Sequence, residues 1–163
     1  MRVLRYGLVG LAAFLAGCAR QAYPGFCLCS MVHPYITPGS ERDLVANVGD
    51  RVFFAFNKSM LPDAAGATLG RQAAWLEKYP RVDVLIAGNA DERGTETYNL
   101  ALGEHRADAA RDFLVAAGVP AARIKTASYG KDCPVVAGND GVAYQQNRNA
   151  ITSVVGYNPQ NCR

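Results

Sequence analysis

Apolar residues in this chain gather into short runs separated by polar, proline- and glycine-containing breaks, and each run has its own period. Val52-Phe53-Phe54-Ala55-Phe56 crowds aromatic and β-branched residues together, which predicts a buried strand. Pro62 and Asp63 open a stretch in which Leu69, Ala73 and Leu76 share one helical face, and Pro80 ends it. Val82 to Ala87 predicts a second strand, and Gly88 to Thr95 a loop. A long helix is expected from about Thr97 to Ala117, with Leu100, Ala107, Ala110, Leu114 and Ala117 on one stripe. Gly118 stops it and Pro120 prevents its resumption. Ile124 to Tyr129 predicts a third strand, Cys133 to Asp140 a loop, Tyr144 a short helix, and Ala150 to Tyr157 a last strand. The order β-α-β-α-β-(short α)-β implies an α/β (α+β) sandwich, with helices packed on one face of a small mixed sheet.

The N-terminus follows a different pattern. Arg2 and Arg5 precede an apolar run from Tyr6 to Ala16, too short for a membrane span and shaped like a secretory signal. It closes on Leu15-Ala16-Gly17-Cys18, which resembles a bacterial lipobox and makes Cys18 the expected lipidated residue. The alternative is an ordinary signal peptide with an incidental cysteine. Ala19 in place of aspartate favours transport to the outer membrane in the lipoproteins that this pattern resembles. Several acyl chains, at about 0.8 kcal/mol per buried methylene, anchor a protein stably. Residues 19–49 carry Pro24, Pro34 and Pro38 without a sustained period and read as a tether with some local order. Extended, such a tether reaches on the order of 100 Å. The expected organisation is a signal peptide (1–17), a lipidated N-terminus and tether (18–49), a folded domain (50–157) and a tail (158–163).

Charge and cysteines narrow the classes. The formal net charge of +3 falls to +1 without Arg2 and Arg5, so there is no basic footprint for nucleic acid. Cys27, Cys29, Cys133 and Cys162 remain beside Cys18, and an exported chain meets an oxidising compartment. Four cysteines allow three connectivities; Cys133 with Cys162, tying the C-terminal tail to a loop, is the preferred pair, and a Cys27–Cys29 bridge is strained though not impossible. Cys27, Cys29 and His33 have poor spacing for a metal, and neither metal nor cofactor is expected.

The candidate chemistry lies in Gly88-Asn89-Ala90-Asp91-Glu92-Arg93-Gly94-Thr95 and the helix after it. Asp91 falls just beyond a strand end, where open α/β sheets place ligands. Asn99 and Arg106, seven residues apart, share a helix face. Such a trio suits a zwitterion, Asp91 taking an ammonium and Arg106 a carboxylate. From spacing alone, an Asp91–Arg106 structural salt bridge with Asn99 as a helix cap stands slightly ahead.

A resemblance tips that balance. Ala90-Asp91-Glu92-Arg93-Gly94-Thr95, Tyr98-Asn99-Leu100-Ala101-Leu102-Gly103-Glu104, Ser128-Tyr129-Gly130-Lys131 and Asn147-Arg148 make residues 50–157 similar to OmpA-like peptidoglycan-binding domains. Within that family they resemble the peptidoglycan-associated lipoproteins. The resemblance implies that Asp91 and Arg106 hold the diaminopimelate of peptidoglycan, that Phe56, Asn57 and Leu102 line the site, and that Asn99 supports it. It further implies an outer-membrane lipoprotein facing the periplasm, with TolB and other Tol proteins as partners. The chain departs from the family pattern at Ala55 and Asn57, where aspartate is common, at Asn89, often histidine, and at Asn149, often arginine. Missing carboxylates near the ammonium pocket imply an altered affinity.

An enzyme is the rival from another class. Glu92, Glu104 and Asp91 have no arrangement that marks an acid/base pair, His105 has no evident partner, and neither Ser59 nor Ser128 sits in a nucleophile elbow. A non-catalytic binding protein is therefore expected. Its remaining alternative is an anchor or partner-binding scaffold of another envelope complex, with a weakened peptidoglycan site.

Overall fold

The computed structural model describes residues 35–157, and the apolar runs within them become one four-stranded mixed sheet with its helices. In chain order these are α1 (Glu41–Asp43, continued as a π-helical stretch Leu44–Val48), β1 (Arg51–Phe53), α2 (Asp63–Lys78), β2 (Val84–Asn89), α3 (Glu96–Ala116), β3 (Ile124–Gly130), α4 (Gly141–Asn147) and β4 (Asn149–Val154). The strand order is β1-β4-β2-β3. Only β2 and β3 run parallel, joined by the α3 crossover, while β4 is antiparallel to both of its neighbours.

The core forms where the apolar stripes of α2 and α3 meet the sheet. Ala65, Leu69, Ala73 and Leu76 from α2 and Ala107, Ala110 and Leu114 from α3 bury against Val52, Val84, Ile86 and Ala150. One polar link crosses this layer: the Gln72 side chain accepts from Thr152 Oγ1 (2.9 Å) and donates to the Gly49 carbonyl (2.7 Å). The α3 terminus follows its sequence signals. Thr95 caps the start by accepting from Tyr98 N, and Gly118, at φ +99°, closes the end with Val119 N donating to Leu114 O.

Strand boundaries differ from expectation, β2 running Val84–Asn89 instead of Val82–Ala87 and β4 ending at Val154 instead of Tyr157, and two further differences have a structural reason. The first strand does not reach Phe56; it leaves the sheet after Phe53, and Asn57 adopts φ +57°, a left-handed conformation that asparagine tolerates. The reason is a side chain distant in sequence: the Ala55 and Lys58 carbonyls face the buried Arg106 instead of a neighbouring strand.

The second correction is at the domain's start, which lies before Asp50. Ser40 caps α1, Leu44 is fully buried, and Asp43 accepts from Gly39 N and from Trp75 Nε1 (2.9 Å), so this segment packs onto the core. Glu41 is buried beside it, its Oε2 accepting from Val154 N (2.6 Å) while Oε1 has no partner. Burial chiefly, with Asp50 adding, raises the Glu41 carboxyl above its ordinary value against the Val154 hydrogen bond. An acid raised in the folded state makes the ionised form a burden, so stability falls as pH rises through that window. Glu41→Gln keeps an acceptor for Val154 and is expected to raise the melting temperature at pH 7. The gain should shrink towards pH 4.5, which thermal melts at both pH values would check.

Candidate functional site

The site is built where α3 touches the sheet most closely. Gly88 at the end of β2 lies against Gly103 of α3, so near that a Cβ on Gly88 would sit 1.8 Å from the Gly103 carbonyl oxygen. Ser128 of β3 reaches the same helix turn, its Oγ donating to Leu100 O (2.6 Å). This contact sets the first turns of α3 beside the loop that leaves β2. Asn99 ties the two together by donating from Nδ2 to Arg93 O (3.0 Å). It braces the loop and does not cap the helix, since Thr95 holds that position.

A cleft of about 430 Å³ opens there, and Phe56, Asn57, Asp91, Asn99, Leu102 and Arg106 all line it. These six positions, scattered over three segments of sequence, are thus neighbours in space. Arg93, Arg148, Tyr98, Gly94 and Thr95 complete the wall. The Asn57 side chain accepts from the Tyr98 hydroxyl across the rim.

The charges do not form the structural salt bridge that spacing alone put slightly ahead. Asp91 does not pair with Arg106. Its Oδ2 accepts from Arg93 Nη2 (2.7 Å) and Arg148 Nη1 (3.1 Å), and its Oδ1 from the Arg93 backbone N and Nε (3.2 Å each). Burial works against this carboxylate most strongly, yet the hydrogen bonds from Arg93 and Arg148 outweigh it and hold the group below its ordinary value. Asp91 therefore stays ionised at neutral pH, and the stability its pairs contribute is lost only as pH falls below about 4.

Arg106 is fully buried and is held by carbonyls. It donates from Nε to Lys58 O (2.9 Å), from Nη1 to Asn89 O (2.6 Å) and from Nη2 to Ala55 O (3.3 Å). Burial, and then the charge of Arg148, lower it to about 10, so it remains a cation at neutral pH. Arg148 is pinned likewise, donating from Nε to Phe54 O (3.2 Å) and from Nη2 to the Gln145 side chain. Neither Arg93 nor Arg148 stood out as a site residue in the sequence. Arg148 is 57 positions from Asp91, beyond any local period, whereas Arg93, two residues on, was within reach of a spacing argument.

Cys133 is disulfide-bonded, and Cys18, Cys27, Cys29, His33 and Cys162 lie outside the described residues. The expected pairing of Cys133 with Cys162 and the lipidation of Cys18 thus fall outside them too.

Comparison with known proteins assigns the family. The OmpA family model matches residues 53–148. The peptidoglycan-associated lipoprotein of Mesorhizobium japonicum is 45% identical over 91% of both chains. That of Rhizobium meliloti is 52% identical over 74% of this chain and 68% of its own. The chain belongs to the OmpA family, among the peptidoglycan-associated lipoproteins. A crystal structure of the Burkholderia pseudomallei peptidoglycan-associated lipoprotein superposes with a TM-score of 0.65 at 38% identity, covering 69% of this chain and 99% of that one. The C-terminal domain of Helicobacter pylori MotB, at 20% identity over 64% of this chain and 83% of its own, with a TM-score of 0.61, shares the fold.

Membership makes the departures from the family pattern informative. Asn89 and Asn149 are one feature, because Asn89 Nδ2 donates to Asn149 Oδ1 (2.8 Å) in the interior. Ala55 meets Arg106 through its backbone carbonyl, a contact that does not depend on the side chain there.

Proposed function

We propose that this lipoprotein binds diaminopimelate-type peptidoglycan non-covalently in the Asp91–Arg106 cleft and so tethers the outer membrane to the cell wall. The observation that carries the proposal is the cleft itself, a buried carboxylate among three guanidiniums at the end of a strand, in a chain closely related to named peptidoglycan-associated lipoproteins. Phe56, Asn57 and Leu102 supply the wall along which the aliphatic part of a diaminopimelate side chain lies, and Asn99 holds the loop in place. Lipidated Cys18 supplies the outer-membrane anchor on the periplasmic face. TolB and other Tol proteins are the proposed protein partners, as in the Tol-Pal envelope system that serves cell division.

A binding role suits the carboxylates better than catalysis. A general acid for glycan cleavage needs a raised carboxyl, whereas Asp91 is lowered by two arginines, and Glu92 accepts from the Tyr144 hydroxyl (2.7 Å).

The test is a calorimetric titration of the chain from residue 19 onward with a diaminopimelate-containing muropeptide. Asp91→Asn, which keeps the shape and removes the charge, is expected to lower affinity by about tenfold or more. Heat from the unaltered protein matched by Asp91→Asn would move the ligand elsewhere, and no heat from either would leave a partner-binding scaffold. A pull-down with purified TolB separates that scaffold role from a generic anchor.

A further inference from the structure

We infer that Arg93 is a resident stand-in for the ligand's ammonium, a gate that covers Asp91 in the free protein and sets which ligands displace it. This rests on the peptidoglycan-binding reading of the same cleft.

The three arginines of the cleft are not equivalent. Arg106 and Arg148 are buried, and their guanidiniums are fastened to main-chain carbonyls on neighbouring segments, so neither moves without breaking the wall. Arg93 differs in each respect. Its side chain is 42% exposed, and among the described residues its guanidinium donates to Asp91 alone. The rest of its environment is aromatic: the guanidinium carbon lies 4.0 Å from the centre of the Phe56 ring and 4.5 Å from that of Tyr144. Stacking on an exposed ring, Phe56, and a half-buried one, Tyr144, is a weak and reversible hold. The Arg93 main chain is fixed independently through Asn99, so the side chain can leave while the loop stays.

The occupancy of Asp91 makes such a departure necessary. Arg93 and Arg148 already use both carboxylate oxygens, and the Asp91 side chain is only 5% exposed. A ligand cation reaches it only by taking the place of the Arg93 guanidinium. When it does, one cation replaces another, Arg148 still holds the carboxylate, and no unpaired charge is left inside. The exchange therefore selects ligands bearing an ammonium, because a neutral group at that position would leave Asp91 with one partner fewer. Swinging outward, Arg93 also vacates the space between Phe56 and Tyr144 for the aliphatic part of the ligand.

Arg93→Met tests the gate, since methionine fills similar apolar space without competing for Asp91. Calorimetry would compare the unaltered chain and the variant against two probes, a muropeptide with a free distal diaminopimelate amine and the same muropeptide with that amine acetylated. The variant is expected to bind the free-amine probe about fivefold more tightly, the upper range for release of one exposed ion pair. It should bind the acetylated probe no better than the unaltered protein does. Equal weakening towards both probes would make Arg93 a direct contact to a ligand carboxylate, and an unchanged pair of affinities would make it a bystander; either overturns the gate. If the unaltered chain binds neither probe, the peptidoglycan reading itself falls, a result distinct from failure of the gate.

Discussion

Gly88→Ala is expected to lower the melting temperature by about 10 °C or more and to disorder the cleft with it. The Cβ it adds would stand 1.8 Å from the Gly103 carbonyl oxygen and 3.2 Å from Ala107 N, and both neighbours are helix backbone rather than side chains that rotate away. Relief requires α3 to shift off β2, and α3 carries Asn99, Leu102 and Arg106. Overpacking of this sort costs about 1–3 kcal/mol and sometimes more, and in a domain of this size each kcal/mol shifts the midpoint by several degrees. Gly103→Ala should act in the same direction, because its Cβ would meet Ser128 Oγ at 2.3 Å and Gly88 O at 2.7 Å. Gly70→Ala is the control: nothing lies within 4 Å of its added Cβ in the exposed face of α2. There the gain in helix preference, about 0.5–1 kcal/mol, should raise the midpoint. Thermal melts of the three variants decide the matter. A Gly88→Ala protein as stable as the Gly70→Ala control would mean that helix and sheet are not held at this contact.

The helices were legible because their period is regular and their ends are chemically marked. Leu69, Ala73 and Leu76 define one face of α2, and α3 is closed by Gly118, which takes the left-handed turn at φ +99°, and by Pro120, which cannot continue a helix. The first strand was only half legible. Ala55 and Phe56 are as apolar as Val52 and Phe53, and what turns the chain out of the sheet is a guanidinium some fifty residues away that claims the Ala55 carbonyl. The start at Ser40 was hidden for a related reason: a one-turn helix running into a π-helical stretch shows no sustained period, and its hold on the core comes from individual contacts such as Asp43 with Trp75.

The same division applies to the cleft. The family resemblance named the six residues that the fold gathers at Phe56, Asn57, Asp91, Asn99, Leu102 and Arg106, but it carries no information on which charge meets which. Asp91 is answered by Arg93 and Arg148, and Arg106 by backbone oxygen. The departures at Asn89 and Asn149 looked independent in sequence and are one hydrogen bond in space.

Arg106→Ala is expected to reduce muropeptide affinity about a hundredfold or more while destabilising the fold far less than its burial suggests. Two effects oppose each other in stability. Removing the guanidinium strips hydrogen bonds from the carbonyls of Ala55, Lys58 and Asn89, each a loss of about 1–3 kcal/mol if the oxygen stays dry. Against that, the protein sheds a cation that burial and Arg148 already disfavour, as the lowering to about 10 records. The vacated space also opens on the cleft, where water reaches the freed carbonyls. Binding has no such compensation. A carboxylate entering the cleft meets a guanidinium already oriented by its carbonyl contacts, and truncating one partner of a desolvated, hydrogen-bonded charge pair costs about 2–5 kcal/mol. Arg106→Lys separates charge from geometry. Lysine keeps the cation but lacks the planar fork that spans the three carbonyls and a ligand together, so it should recover less than half of the lost binding free energy. Calorimetry and urea unfolding of both variants measure the two effects side by side. Full affinity in Arg106→Lys would show that charge alone draws the ligand in. Unfolding of Arg106→Ala at neutral pH would show that this arginine serves the fold before it serves the cleft.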